Sequence, residues 1–314
     1  MDKKFAHREI LGADGVKLHT ITYGTGPLVL FLHGFPEFSA TWTKQLREFG
    51  RDHLAAAIDL RGCGLSDKPA EVAAYSLSRV VEDIRHVIEA LSPGQPASLV
   101  GHDWGGIIGW AFARAYPKML ERLIIINAPH PAIFARELVH NRAQRFASSY
   151  MLFFRSPGVA ENILASFDYA LLRRMVFGRT VSPEVFTPEE RSSYLENWKR
   201  DGALTGGLNY YRASEGFRET RLEDWHISVP TLVLWGDADS ILLTGNLRGL
   251  EQYVTELTIH RHPTATHWVV HEEPRWVHAC IRDFMEAVPA TKNLSKRRLA
   301  ETRVELSAQR QDAA

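Results

Sequence analysis

The chain has 314 residues, 45% of them hydrophobic, and its 37 Lys plus Arg balance 37 Asp plus Glu. That length suits roughly two domains of 100–200 residues, or one large α/β domain with an insertion. The zero net charge and ordinary apolar content exclude the basic excess of a nucleic-acid binder and the polar composition of a disordered chain. Residues 16–23 alternate apolar and polar positions, which predicts a half-buried strand. Residues 28–32 are a solid apolar run ending at His33-Gly34, as a buried parallel strand reads. Residues 54–60 form another, running into Asp59-Leu60-Arg61-Gly62-Cys63-Gly64. Over 77–91, Val80, Val81, Ile84, Val87, Ile88 and Leu91 form one helical face. A strand at 97–100 turns sharply through 101–106 into a helix at 107–116, which Pro117 stops, and 123–126 is the next strand. This βαβ pattern predicts a parallel, doubly wound sheet.

The pattern breaks near Ala128. Residues 131–225 read as helices and loops, rich in aromatic residues and arginine, with no clear buried strand. A strand returns at 230–235, followed by Gly236-Asp237-Ala238-Asp239, a helix around 242–250, a strand near 256–260 and a helix at 274–288. The expected division is a core from 1–130 and 226–289, a helical insertion at 131–225, and a charged, solvated tail at 290–314. Cys63 and Cys280 are expected as reduced thiols, and without a Cys-x-x-Cys pair there is no cysteine-based metal site. The first residues lack the apolar stretch of a secretory leader. No apolar run approaches the roughly 20 residues of a membrane span. A cytoplasmic protein with no membrane partner is the expectation.

The sharpest local signal is Gly101-His102-Asp103-Trp104-Gly105-Gly106 between a buried strand and a helix. Its spacing is that of a nucleophile elbow, where small residues let the chain bend and expose the central side chain. Here that side chain is Asp103, whose carboxylate can attack a saturated carbon and form an ester. A plain helix cap would also use Asp, but the small residues around it favour the elbow. The second signal is His33-Gly34-Phe35-Pro36-Glu37, a loop after a buried strand. It can aim the Phe35 N–H at the elbow and, with the N–H of Trp104, form an oxyanion hole. A cis Pro36 would hold the Phe35 amide in place.

Together with Asp59-Leu60-Arg61-Gly62-Cys63-Gly64-Leu65-Ser66-Asp67, Gly236-Asp237-Ala238-Asp239 and His267-Trp268, these motifs resemble the α/β-hydrolase superfamily, and within it the epoxide hydrolases, over residues 5–289. The resemblance implies the α/β-hydrolase fold, a mostly parallel doubly wound sheet with 131–225 as a helical lid. It implies a triad in the order nucleophile, acid, histidine. Asp237 and Asp239 compete for the acid, and Asp239 is favoured because the family's acid sits a few residues past the strand end. His267, before Trp268, is favoured as base over His262 and His271. His102 is expected to be buried and structural.

The family uses two lid tyrosines to hold and protonate the epoxide oxygen, because an alkoxide leaves poorly near neutral pH. The segment from Phe146 to Glu161 is similar to the family's first such segment and places that tyrosine at Tyr150. Gly207-Leu208-Asn209-Tyr210-Tyr211-Arg212 is similar to the second, with Tyr211 in the role and Tyr210 its neighbour. Phe154 is expected against the substrate. The implied activity is cofactor- and metal-independent conversion of a small epoxide and water to a vicinal diol through an ester on Asp103.

Rival readings lack residues. Haloalkane dehalogenases of a common type carry Asn where this chain has Phe35. Fluoroacetate dehalogenases place arginines where it has Trp104 and Ile107, and a lid His-Trp pair near Ser149-Tyr150. Standard serine esterases are excluded by Asp103. A non-catalytic small-molecule receptor on this fold would not need Asp103, Asp239, His267 and both tyrosines together.

Overall fold

The computed structural model describes residues 4–214 and 225–287; the tail expected at 290–314 lies outside them. Eight strands form one sheet in the order β1-β2-β4-β3-β5-β6-β7-β8. They are β1 (Ala6–Leu11), β2 (Lys17–Gly24), β3 (Leu28–Leu32), β4 (Leu54–Ile58), β5 (Ala97–His102), β6 (Leu120–Ile126), β7 (Thr231–Gly236) and β8 (Leu257–His262). The β1–β2 and β2–β4 pairs are antiparallel and the remaining pairs parallel. The fold is thus the α/β-hydrolase fold that the motifs imply.

Why the central strands read as continuous apolar runs follows from their two covered faces. In β3, Leu30 and Leu32 point into one core layer and Val29 and Phe31 into the other. Helices α2 (Leu77–Leu91) and α3 (Trp104–Ala115) bring Val80, Ile84 and Ile108 to the first layer. Helix α1 (Thr43–Phe49) brings Leu46 and Phe49 to the second. Between β6 and β7 the chain runs through α4 (Pro131–His140), α5 (Arg142–Ala147), α6 (Tyr150–Phe154), α7 (Val159–Val176), α8 (Pro188–Trp198) and α9 (Ala203–Ala213). After β8 come α10 (Val269–Glu272) and α11 (Pro274–Glu286), the latter placing Val277 and Ile281 in the second layer.

Three local expectations are corrected. Strand β1 was not expected: only Ile10 of its six residues is buried, so this edge strand carries no apolar alternation. The helix expected at 242–250 is instead two short 3₁₀ turns, Thr244–Leu247 and Leu250–Gln252, divided by Gly249 in the left-handed region at φ 81°. Helix α3 begins at Trp104 rather than 107, directly on the elbow. Both cysteines are free thiols. No helix among the described residues is long and apolar enough to cross a membrane.

The Asp59–Asp67 motif is a structural brace. Asp59 accepts hydrogen bonds from the amides of Ser39 (2.7 Å) and Leu65 (2.9 Å), tying the loop after β3 to the loop after β4. Arg61, fully buried, meets Asp83 of α2 through two 2.6 Å bonds and donates to the Ala74 carbonyl. Removing one partner of a buried pair leaves an uncompensated charge, which costs about 3–5 kcal/mol. Asp83→Ala is therefore expected to destabilise the protein by about that amount in urea unfolding. The double variant Arg61→Met/Asp83→Leu should recover most of the loss, and equal losses in single and double variants would contradict this account.

Candidate active site

The site lies at the carboxyl ends of the parallel strands, where this sheet class places its ligands. Strand β5 delivers Asp103, whose backbone sits at φ 51°, ψ −119°. An L-residue held in so sparse a region costs about 1–3 kcal/mol. Close packing enforces it: a Cβ on Gly101 would strike the Gly105 carbonyl, and one on Gly105 would strike that of Leu32. The bend turns the carboxylate out of the sheet, and the Phe35 N–H donates to its Oδ1 at 2.9 Å. The Phe35–Pro36 peptide is cis. Trp104 opens α3 immediately behind Asp103.

His267 lies between two carboxylates. Its Nδ1 is 2.8 Å from Asp239 Oδ2 and its Nε2 is 3.6 Å from Asp103 Oδ2. Asp239 is fully buried at its carboxylate and accepts amide N–H bonds from Ile241 (2.7 Å) and Leu242 (2.9 Å) at the other oxygen. Burial works against its charge, but the His267 cation and these bonds hold its pKa below the usual value. Burial likewise opposes charge on His267, yet Asp239 and then Asp103 outweigh it and raise the imidazole pKa to about 10. The resting site therefore holds an imidazolium at neutral pH.

The competing candidates point elsewhere. Asp237 pairs with Arg261 at 2.8 Å. His262 accepts from the Ala265 amide. His102 is buried with Nδ1 3.0 Å from Glu37 Oε2 and Nε2 2.8 Å from the His267 carbonyl, so it braces the backbone of the histidine. His271 also meets Glu37, at 2.8 Å, beside Thr41 and Tyr194.

Helices α6 and α9 place two phenols over this centre. Tyr150 and Tyr211 face each other with ring centroids 6.1 Å apart at 77°. Both line one cavity of about 620 Å³ together with Asp103, His267, Phe35 and Phe154. Burial chiefly raises both phenol pKa values, and the Asp103 charge adds to it, so both remain protonated donors. Tyr210 is turned away: its hydroxyl donates to the Arg61 carbonyl at 3.0 Å. Phe154 packs edge-on against Tyr211 (5.0 Å) and Tyr150 (5.2 Å). Among the described residues no group of three or more His, Cys, Asp or Glu side chains could hold a metal ion.

The family model of the alpha/beta hydrolase fold matches residues 27–274. Epoxide hydrolase 3 of Mus musculus is 34% identical over 87% of this chain and 75% of its own. A solved Bacillus megaterium epoxide hydrolase, in complex with an inhibitor, superposes with a TM-score of 0.83 at 37% identity, covering 90% of this chain and 100% of that one. The chain belongs to the epoxide hydrolase family. The AB hydrolase superfamily protein YfhM of Bacillus subtilis is a further relative, 34% identical over 88% of this chain and 97% of its own. As a family member the chain is a hydrolase.

Several residues of this family member's site escape local sequence reading. Asn127, buried just past β6 at φ 40°, donates to Asp239 Oδ2 at 2.8 Å and accepts from the Gly236 amide at 2.9 Å. Glu37 is fully buried; burial opposes its charge, yet His102 and His271 hold its pKa well below the usual range. Arg179 lines the cavity from the turn after α7. Only the positive φ at Asn127 had a compositional hint, since Asn tolerates that region.

The electrostatics give a direct test. Asp103→Asn removes one of the charges that raise His267, so its pKa should fall below about 10, and Asp239→Asn should lower it further because Asp239 contributes more. Titration of the ring protons by NMR reads both. An unchanged value in Asp103→Asn would show that Asp103 does not raise the His267 pKa.

Proposed function

We propose that this protein hydrolyses an epoxide to a vicinal diol through an ester on Asp103. The observation that carries the reading is one cavity holding a carboxylate at a strained elbow, an imidazole between two carboxylates, and two protonated phenols from separate helices of the insertion. The insertion, residues 131–225, acts as the lid over the core formed by 1–130 and 226–289.

In the first step Asp103 Oδ2 attacks an epoxide carbon. Oδ1 accepts from the Phe35 N–H at 2.9 Å, whereas Oδ2 has only the longer 3.6 Å contact with His267 Nε2, which leaves it the oxygen to react. The carbon–oxygen bond breaks and Tyr150 or Tyr211 protonates the departing oxygen, while Phe154 packs beside the substrate. The Asp103 charge is lost in the ester, so one of the influences that raise the His267 pKa is lost with it. The imidazolium then releases a proton, which balances the one lost by the phenol.

In the second step neutral His267, oriented by Asp239, takes a proton from water. The resulting hydroxide attacks the ester carbonyl, and the oxyanion forms at Oδ1 against the N–H groups of Phe35 and Trp104. Collapse breaks the ester bond to the substrate oxygen, the proton brought in by the hydroxide passes to that departing alkoxide, and the diol leaves with Asp103 again a carboxylate and His267 again an imidazolium. The base thus becomes available only after alkylation, which orders the two steps by charge alone.

His267→Gln is expected to form the ester and stall, visible as a stoichiometric adduct of substrate mass on styrene oxide. Turnover without an adduct, or diol formation in Asp103→Ala, would favour direct attack by water. For the acids, Tyr150→Phe and Tyr211→Phe should each slow alkylation, and the double variant should fall by about 10²–10⁴-fold. Single-turnover kinetics isolate this step. A double variant alkylating at the parent rate, or halide release from haloalkanes without diol from epoxides, would favour dehalogenation.

A further inference from the structure

The cavity wall is mostly apolar, contributed by residues such as Phe146, Phe153, Leu171, Met175 and Ile241. Apart from Asp103 and His267, its lining among the described residues holds one further charged side chain, Arg179. Three other arginines of the insertion are committed. Arg155 donates to the Tyr211 carbonyl and to Ser214, Arg173 pairs with Asp168, and Arg212 binds Glu161 through two bonds. Arg179 is exposed and makes no hydrogen bond or ion pair with any described residue. Its charge nevertheless reaches the Tyr150 phenol, where it acts against the influence of burial and of Asp103.

A guanidinium in that position makes no favourable contact of its own with a wholly apolar substrate. It is suited to a planar anion, which its fork of N–H groups binds through two parallel bonds. An anion entering without it would meet the net negative field of Asp103 and Asp239, which the single His267 cation offsets only in part. We propose that Arg179 is a specificity residue that binds a carboxylate on the substrate, so that the preferred epoxide has an apolar body with a carboxylate remote from the ring. This rests on the epoxide-hydrolase reading of the cavity.

The test compares an epoxy-alkanoate with its own methyl ester, which differs only in charge. The parent should favour the carboxylate in kcat/KM at low ionic strength, and salt should shrink the preference, because screening shortens to about 3 Å at 1 M. Arg179→Gln should lower the carboxylate-to-ester ratio by roughly 5–20-fold, the range between an exposed pair and a charge-assisted bond. Arg179→Lys should retain part of it and Arg179→Glu should invert it. A ratio unchanged in Arg179→Gln, or a parent that prefers the ester, overturns the proposal. Calorimetric binding of decanoate against decanol, which need no epoxide chemistry, separates the two readings. Decanoate binding that depends on Arg179 while no epoxide is turned over upholds the anion site and defeats the epoxide reading. Diol formation with decanoate binding indifferent to Arg179 defeats the anion site alone.

Discussion

His267 is held between Asp239 and Asp103, and the surrounding structure is organised around keeping that imidazole there and charged. Burial alone would drive it neutral. Two unit charges about 4 Å apart interact by about 4 kcal/mol at the effective dielectric of a protein surface. One carboxylate at 2.8 Å and another at 3.6 Å therefore overcome the desolvation of the ring. The cost is transferred to Asp239, which is buried and needs its hydrogen bonds from Ile241, Leu242 and Asn127 to stay ionised. The backbone of His267 is fixed in turn by His102, which is anchored on the buried Glu37.

The sheet explains how residues from such distant places in the chain converge. Asp103 follows β5, Asn127 follows β6, Asp239 follows β7 and His267 follows β8. These strands are adjacent and parallel, so their carboxyl ends open on one edge. In register, His102 lies beside Ile126 and Leu234 beside His260, which brings successive strand ends level with one another. A one-residue slip would turn every side chain to the opposite face. The apolar runs of β3, β6 and β7 are thus a condition of the chemistry as well as of stability.

Much of this was legible where the physics is local. Gly101, Gly105 and Gly106 report a bend that only small residues permit, and β3 and β7 report their own burial. The tyrosines were legible through resemblance, and the structure brings Tyr150 and Tyr211 into one cavity while turning Tyr210 to the Arg61 carbonyl. What stayed hidden depends on distance in sequence. The bond from Asn127 to Asp239 spans 112 positions, and that from His271 to Glu37 spans 234. Arg179 is one arginine among many until a cavity wall isolates it. Strand β1 has no face to bury, so it leaves no period to read.

The insertion and the core meet beside the nucleophile elbow at Phe35. Its amide holds Asp103 Oδ1, while its ring stands edge-on to Tyr211 at 5.6 Å and to Phe154 at 5.3 Å. Helix α9 can approach this closely because Gly207 faces the Phe35 ring and Gly206 faces Gly62, and a Cβ at either would collide. The helices that carry the phenols are tied to each other by Arg155, which reaches from the end of α6 to the Tyr211 carbonyl. Glu161, at the start of α7, binds Arg212 beside Tyr211. A misplacement of about 1 Å between reacting groups can cost about 10²-fold in rate. One residue therefore touches both the Asp103 carboxylate and the Tyr211 ring. In the proposed mechanism the departing oxygen is protonated in the same geometry that aims the attack, although Asp103 comes from the core and the phenols from the insertion.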